Sequence, residues 1–160
     1  MTLLTDILLI YPFYRRRFER SPFRFPPLGI GYLASFLKQR NFTVRILDGT
    51  FGSEEQILRE TQISKPWMVG IYAMYSMEKE SIALARKIRH MTDLLVAGGP
   101  LPTVDPSMFL EDFDIVAMGE AENTLHDIAE NFVNHRQVKG IRGTAFKDSG
   151  GIRIAERRPP

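Results

Sequence analysis

The chain has 160 residues, 44% of them hydrophobic, and its 21 basic residues nearly balance its 19 acidic ones, leaving a formal net charge of +2. This length and composition fit one domain with a true core, and the near-neutral charge gives no global field that would favour nucleic acid or membrane. Cysteine is absent, which excludes disulfides and thiolate metal sites and fits a reducing compartment. With no apolar run near the roughly 20 residues that cross a bilayer, we expect a soluble, cytoplasmic protein.

Apolar runs alternate with amphipathic segments along the first 135 residues. The predicted elements are strands at 6–12, 43–49, 67–75, 93–99 and 113–119, helices at 26–41, 53–64, 77–91 and 120–135, and a short helix starting at Asp105. Because the strands are apolar throughout rather than alternating, they indicate a parallel sheet covered on both faces. Segments 141–146 and 152–156 flank a glycine-rich turn and predict a β-hairpin.

These elements predict a single α/β domain over residues 1–160. Its core would span 6–135, and 141–156 would form the hairpin and the start of a linker. Arg157 and Arg158, followed by two prolines, indicate a domain edge with both arginines in solvent. We therefore expect a piece of a longer enzyme.

Motifs for common catalytic sites are missing from the expected positions. GIGYLA at 29–34 has the dinucleotide pattern G-x-G-x-x-A, but it lies inside a helix rather than directly after a strand, so close helix–sheet packing at small residues is the better interpretation. No G-x-S-x-G stretch is present. The histidines His90, His126 and His135 lack metal-ligand spacing, so we predict neither a catalytic residue nor a metal ligand.

Ligands of open parallel sheets bind beyond the carboxyl ends of the strands. Three loops with suitable chemistry fall there: AMYSM at 73–77, VAGGPLPT at 96–103 and MGEAENT at 118–124. They offer soft apolar surface, bare backbone and a few hydrogen-bonding groups. Such a set suits a large, flat, neutral ligand better than a phosphate.

Four stretches of the chain resemble the cobalamin-binding domain that precedes the catalytic barrel of many radical S-adenosylmethionine enzymes. They are PPLGIGYLASFLKQRNFTVRILD, VGIYAMYSM, VAGGPLPT and DIVAMGEAENTL. The resemblance runs from about residue 6 to 155. It implies a doubly wound five-stranded sheet of flavodoxin-like order 2-1-3-4-5, with the corrin on its carboxyl edge. It also implies a C-terminal radical S-adenosylmethionine domain in the same chain, which would hold S-adenosylmethionine and an iron–sulfur cluster.

The resemblance places cofactor-binding residues in the same three loops. They are Ala73, Met74, Tyr75 and Ser76; Gly98, Gly99, Pro100 and Thr103; and Gly119, Glu120 and Glu122. The last three match the family's G-E-G-E turn, with Ala121 in place of its second glycine. The glycine pair would let the nucleotide tail pass against the backbone, so a side chain added at Gly99 would occupy ligand space and leave the fold intact. The plain alternative is an ordinary turn.

The first loop decides the expected ligand below cobalt. Classical cobalamin carriers place D-x-H-x-x-G after the first strand, whereas this chain has PFYRRRFERSPFRFPP, without histidine. We therefore expect a His-off cofactor with its own base displaced and no protein nitrogen in its place. Five arginines alternate with aromatic residues over 13–25, which indicates either a solvated loop or packing on the corrin rim or the catalytic domain.

Three functions remain open at this stage. The first is a cobalamin module of a radical enzyme that catalyses methyl transfer, rearrangement or cyclisation, inert when isolated. The second is a degenerate domain that binds no cobalamin and only scaffolds its catalytic partner. The third is a free-standing flavodoxin-like regulatory domain.

Overall fold

The computed structural model describes residues 5–12 and 27–159, so the interpretation of the arginine and aromatic residues over 13–25 lies outside the described residues. The strands are β1 (Ile7–Tyr11), β2 (Val44–Asp48), β3 (Met68–Tyr72), β4 (Leu94–Gly98), β5 (Ile115–Ala117), β6 (Thr144–Asp148) and β7 (Gly151–Ile154). The helices are α1 (Leu28–Lys38), α2 (Glu54–Ser64), α3 (Glu78–Ile88), α4 (Pro100–Val104) and α5 (Glu122–His135). Short 3₁₀ turns occur at Tyr75–Met77, Arg89–Met91 and Pro106–Met108.

The strands form one sheet in the order β2-β1-β3-β4-β5-β6-β7. The first five are parallel, so the predicted order 2-1-3-4-5 and the doubly wound α/β fold are confirmed. The predicted hairpin is present as well, and it extends the sheet: β6 pairs antiparallel with β5, and β7 pairs antiparallel with β6. The carboxyl ends of β1 to β5 therefore meet at one edge.

Both faces of the sheet are buried over its central strands, β1, β3, β4 and β5, as their continuous apolar runs predict. Successive side chains of a strand point to opposite faces, and the helices divide between them. One face packs on α1 and α5 through Ile30, Ala34, Leu37, Leu125, Ile128 and Ala129. The other packs on α2 and α3 through Ile57, Leu84, Ala85 and Ile88, with Phe109 and Phe113 alongside. Each buried leucine, isoleucine or phenylalanine of these sets contributes about 1.5–3 kcal/mol of transfer free energy, and each alanine less.

Helix boundaries follow local chemistry, with one surprise. The hydroxyl of Ser53 accepts a hydrogen bond from the Gln56 amide at 3.2 Å and caps α2 as predicted. The short helix expected from Asp105 is present as the 3₁₀ turn Pro106–Met108, where the Asp105 carboxylate accepts a hydrogen bond from the Ser107 amide at 3.1 Å. An additional helix that was not expected, α4, lies before it. Pro100 explains the difference, because proline is favoured in the first turn of a helix, where no amide donor is needed.

The segment after β7 is attached to the domain rather than free. The Arg158 guanidinium donates to the Thr124 hydroxyl at 3.0 Å and forms an ion pair with Asp127, both on α5. The Gly143 amide also donates to the Glu156 carbonyl at 2.8 Å. Only 23% of the Arg158 side chain is exposed, so the expectation that both terminal arginines lie in solvent is wrong for this one.

Over the described residues, no helix combines the length and the apolar character needed to cross a membrane.

Candidate functional site

A cavity of about 540 Å³ opens at the carboxyl edge of the sheet. It descends between the sheet and the two helices, α1 and α5, that cover one face. Its volume lies within the range of small-molecule sites, about 300–1,000 Å³. The cavity therefore occupies the position that the crevice rule assigns to ligands of open parallel sheets.

The floor of the cavity is a row of residues across three central strands. Leu9 of β1 is in register with Gly70 of β3, and Gly70 with Val96 of β4. Gly70 is partly exposed although it lies in the middle of a central strand. A Cβ atom there would stand 2.8 Å from the Leu9 Cδ2 atom. The missing side chain therefore gives the cavity its depth.

The helix walls come from the first turns of α1 and α5. Gly29, Ile30 and Leu33 line the cavity from α1, and Glu122 and Leu125 line it from α5. Apart from the two chain neighbours and the helix's own backbone, no atom of the described residues lies within 4 Å of a Cβ built on Gly29. The same holds at Gly31. The interpretation of GIGYLA as close helix–sheet packing is therefore wrong for its glycines, since the first of them faces the cavity, whereas Ala34 is buried in the core between α1 and the sheet.

The predicted site residues divide into two groups. Those that line the cavity are Gly98, Gly99, Pro100, Thr103, Gly119, Glu120 and Glu122. Residues 73–76, which follow Tyr72 at the end of β3, do not line it. Ala73 is fully buried in the core on the opposite face, whereas Tyr75 is 85% exposed beyond the strand end. A role for residues 73–76 remains a prediction.

The glycine pair is not equivalent at its two positions. Gly99 has φ +109°, and a Cβ on it would lie 2.6 Å from the carbonyl oxygen of Ala73. A Cβ on Gly98 would meet nothing closer than the Ala117 carbonyl oxygen at 3.8 Å. The expectation that a side chain at Gly99 would enter ligand space is therefore wrong: it would strain the backbone, and Gly98 is the position with room.

Two loops at the mouth of the cavity are connected through one hydroxyl. Thr103 Oγ1 donates to the Gly99 carbonyl at 2.8 Å and accepts from the Gly119 amide at 3.0 Å. The turn after β4 and the turn after β5 are therefore held in a fixed relative position. Glu120 and Glu122, on the second of these turns and the start of α5, place carboxylates at the mouth.

Tyr72 is a lining residue that sequence reasoning missed. Its ring lies 5.2 Å from that of Tyr11, between centroids, at the ends of neighbouring strands. Burial raises the pKa of Tyr72, and burial, with the neighbouring Tyr72 and Asp48, raises the pKa of Tyr11. The Tyr72 phenol therefore stays protonated near neutral pH and can donate a hydrogen bond.

His126 is directed away from the cavity. Its ring packs edge-on against Phe36 and Phe42, with centroids 6.4 and 6.2 Å away. Its ligand atoms and those of Asp127 and Glu130 lie within 4.8 Å of one another. Asp127 is already paired with Arg158, so this group is bound up with the end of the chain rather than with the cavity.

Comparison with known proteins places the same fold in a functional context. A family model described as the B12 binding domain matches residues 17–129. An uncharacterized methyltransferase of Pyrococcus horikoshii is 31% identical over 144 residues, which cover 84% of this chain and 30% of that protein. The chain thus spans about a third or less of the length of this curated relative.

Two solved structures have the same fold. The radical S-adenosylmethionine methyltransferase TsrM from Kitasatospora setae, with cobalamin and a 4Fe–4S cluster bound, superposes with a TM-score of 0.81 at 20% identity, over 98% of this chain and 30% of that one. The cobalamin-dependent S-adenosylmethionine radical enzyme OxsB, with aqua-cobalamin and S-adenosylmethionine bound, gives 0.83 at 18% identity, over 99% and 23%. At these identities the likeness establishes the fold alone.

Proposed function

The chain belongs to the B12-binding domain family, and on that basis we propose that it holds cobalamin in the cavity at the carboxyl edge of its sheet. We further propose that residues 1–160 form one such domain, the cobalamin module of a longer cytoplasmic radical S-adenosylmethionine enzyme. The chain has no cysteine for an iron–sulfur cluster, so that cluster and S-adenosylmethionine belong to a following domain. The isolated chain is then inert.

The depth of the cavity at Gly70 is the observation that carries this proposal. A slot that reaches the middle of a central strand accepts an extended group rather than a surface ion. The floor gives that group an apolar surface, and the missing side chain at Gly70 leaves the space for it. A corrinoid has such a group in its nucleotide tail, while its flat ring remains at the sheet edge.

The residues around the mouth have chemistry that fits the rim of a corrinoid. Glu120 and Glu122 offer carboxylate acceptors, and the Tyr72 phenol offers a donor. Gly98 leaves its backbone bare beside the cavity, and Thr103 fixes the two turns between which the tail would pass. When bound, cobalamin supplies a cobalt centre that can carry a methyl group.

The lower face of cobalt is proposed to lack a protein nitrogen. His126 packs against Phe36 and Phe42, and neither it nor His90 nor His135 lines the cavity. A residue at the end of β3, such as Tyr75, which extends into solvent, would be a candidate to face that position. A His-off cofactor follows, with its own base placed in the slot.

Methyl transfer is the reaction that we favour for the parent enzyme, because the curated relative is described as a methyltransferase and so is TsrM. Rearrangement or cyclisation remains the alternative reaction for the same module. A degenerate scaffold that binds no corrinoid is the alternative function.

The proposal is tested by incubating the purified 160-residue chain with hydroxocobalamin, desalting it and recording the visible spectrum. We expect the corrinoid bands to stay with the protein at about one equivalent. Colourless protein at concentrations where the fold is intact by circular dichroism would favour the scaffold instead.

A further inference from the structure

Over the described residues, the side chains at the bottom of the cavity are made of carbon and hydrogen only. Leu9 and Val96 form the floor on either side of Gly70, and Leu33 and Leu125 close it from the helices. The polar side chains that line the cavity in the part of the chain that the structure describes are Tyr72, Thr103, Glu120 and Glu122. They belong to the strand end, the mouth loops or the first turn of α5, so they are concentrated near the entrance.

The backbone at the bottom offers little more hydrogen bonding than the side chains do. β3 is paired on both sides, with β1 through Leu9 and with β4 through Val96. Amide and carbonyl groups inside such a ladder are already committed to their neighbours. Within residues 5–12 and 27–159, a group that reaches the level of Gly70 therefore meets apolar atoms and no available hydrogen-bonding partner.

Corrinoids differ in the base that ends their nucleotide tail. A dimethylbenzimidazole carries no amino group, whereas adenine carries one amino donor and additional ring acceptors. Burial of such groups without partners weakens binding by roughly 10-fold to 100-fold. The two bases have similar shapes, so the difference in affinity between the two corrinoids comes mainly from this loss of hydrogen bonds to water.

From these observations we propose that the cavity selects corrinoids by their lower base, accepting the less polar benzimidazole and discriminating against a purine. This inference rests on the proposed function, because it names the class of corrinoid that the same site accepts. Selection arises because the described residues offer no available hydrogen-bonding partner at the depth of Gly70, rather than from a steric block. The preference is therefore open to change by one polar side chain on the wall.

The test compares the equilibrium affinities of the wild-type chain for three corrinoids: cobalamin, the analogue with adenine as its base, and cobinamide, which lacks the nucleotide. Absorbance titration provides the readout. We expect the affinity for cobalamin to exceed the affinity for the adenine analogue by a factor of about 10 or more. Equal affinities for these two would overturn the selection while leaving the proposed function in place. Failure of all three to bind would overturn both.

A matched pair of variants at Leu33 tests the cause of the preference. This side chain lines the cavity and is only partly buried on α1, so a polar replacement is tolerated better there than in the floor. Leu33→Gln adds an amide donor and acceptor, and Leu33→Met keeps a similar volume without polarity. We expect the Gln variant to narrow the preference for cobalamin several-fold and the Met variant to keep it. A preference that both variants change equally, or that neither changes, would contradict selection by polarity.

Discussion

The hydroxyl of Thr103 accepts a hydrogen bond from the Gly119 amide at 3.0 Å, and this contact joins the two turns that frame the mouth of the cavity. The same hydroxyl donates to the Gly99 carbonyl at 2.8 Å. One side chain thus serves both loops. The site depends on α4, which positions Thr103, as well as on the glycine turns themselves.

Replacement of Thr103 by Val removes both hydrogen bonds at nearly constant volume. We expect the free energy of unfolding to fall by about 1–2 kcal/mol, because each of the two hydrogen bonds contributes about 1 kcal/mol and water can take the place of the hydroxyl at the exposed Gly119 amide. Cobalamin affinity should fall with it, since the turns are no longer held together. Urea denaturation and absorbance titration measure the two effects.

Thr103→Ser is the control, because it retains the hydroxyl. It should keep most of the affinity that Thr103→Val loses. Equal affinities for the Val and Ser variants would show that the bridge between the two turns does not support the site.

Replacement by alanine should have different effects on stability at the two adjacent glycines. Gly99→Ala should lower the free energy of unfolding by about 1–3 kcal/mol, because its Cβ meets the Ala73 carbonyl at 2.6 Å in a positive-φ conformation. Gly98→Ala should leave stability nearly unchanged, as its Cβ has ordinary contacts. Chemical denaturation of the two variants side by side measures the difference, and equal losses would contradict this geometry.

Arg158 is expected to stabilise the domain through α5. Arg158→Ala removes its contacts with Thr124 and Asp127 and should cost about 1 kcal/mol, a modest value because the pair is partly exposed. Amide hydrogen exchange should become faster over residues 155–158 and in the first turns of α5. Arg157→Ala, at an exposed neighbour, is the matched control. Equal exchange in both variants would mean that the contacts of Arg158 with Thr124 and Asp127 do not hold the chain after β7 in place.

Ionisation of Asp6 makes the free energy of unfolding depend on pH in the acid range. Its burial raises the pKa, but hydrogen bonds from the Thr43 hydroxyl and amide and from the Trp67 indole outweigh burial and hold the pKa below its usual value. A carboxylate with a lowered pKa in the fold stabilises it above the unfolded pKa of about 3.9, and this contribution is lost as pH falls through the folded value.

The urea midpoint should therefore fall more steeply below about pH 4 in the wild type than in Asp6→Asn. The wild-type advantage over this variant should be greatest near neutral pH. Parallel midpoint curves for the two proteins between pH 7 and pH 3 would show that Asp6 does not carry this dependence.

The five parallel strands and their assembly into one sheet could be predicted from short apolar runs such as VGIYA. A continuous apolar run is typical of a strand whose sheet is covered on both faces. α4 was missed because its sequence, PLPTV, contains two prolines within five residues. Local propensity disfavours such a helix, and here the first proline falls in the first turn, where its lack of an amide costs nothing.

The loops of the site could be located from the sequence, but the depth of the cavity could not. Its floor depends on register, since Gly70 matters only because Leu9 and Val96 lie beside it in neighbouring strands. One signal was available: an isolated glycine in a strand commonly marks a close approach of another group. The position of Arg158 was similarly beyond local reasoning, because Thr124 and Asp127 are more than thirty residues away in sequence.

Cobalamin affinity of two variants in the same helix turn tests the central claim most directly. Gly29 lines the cavity and Gly31 does not, and the described residues leave space for a Cβ on either one. Leucine is a better helix former than glycine, so both Gly29→Leu and Gly31→Leu should fold. If the cavity holds the cofactor, Gly29→Leu should weaken binding by about 10-fold or more, and Gly31→Leu should bind like the wild type. Wild-type affinity in Gly29→Leu, or an equal loss in both variants, would contradict the placement of cobalamin between α1, α5 and the sheet.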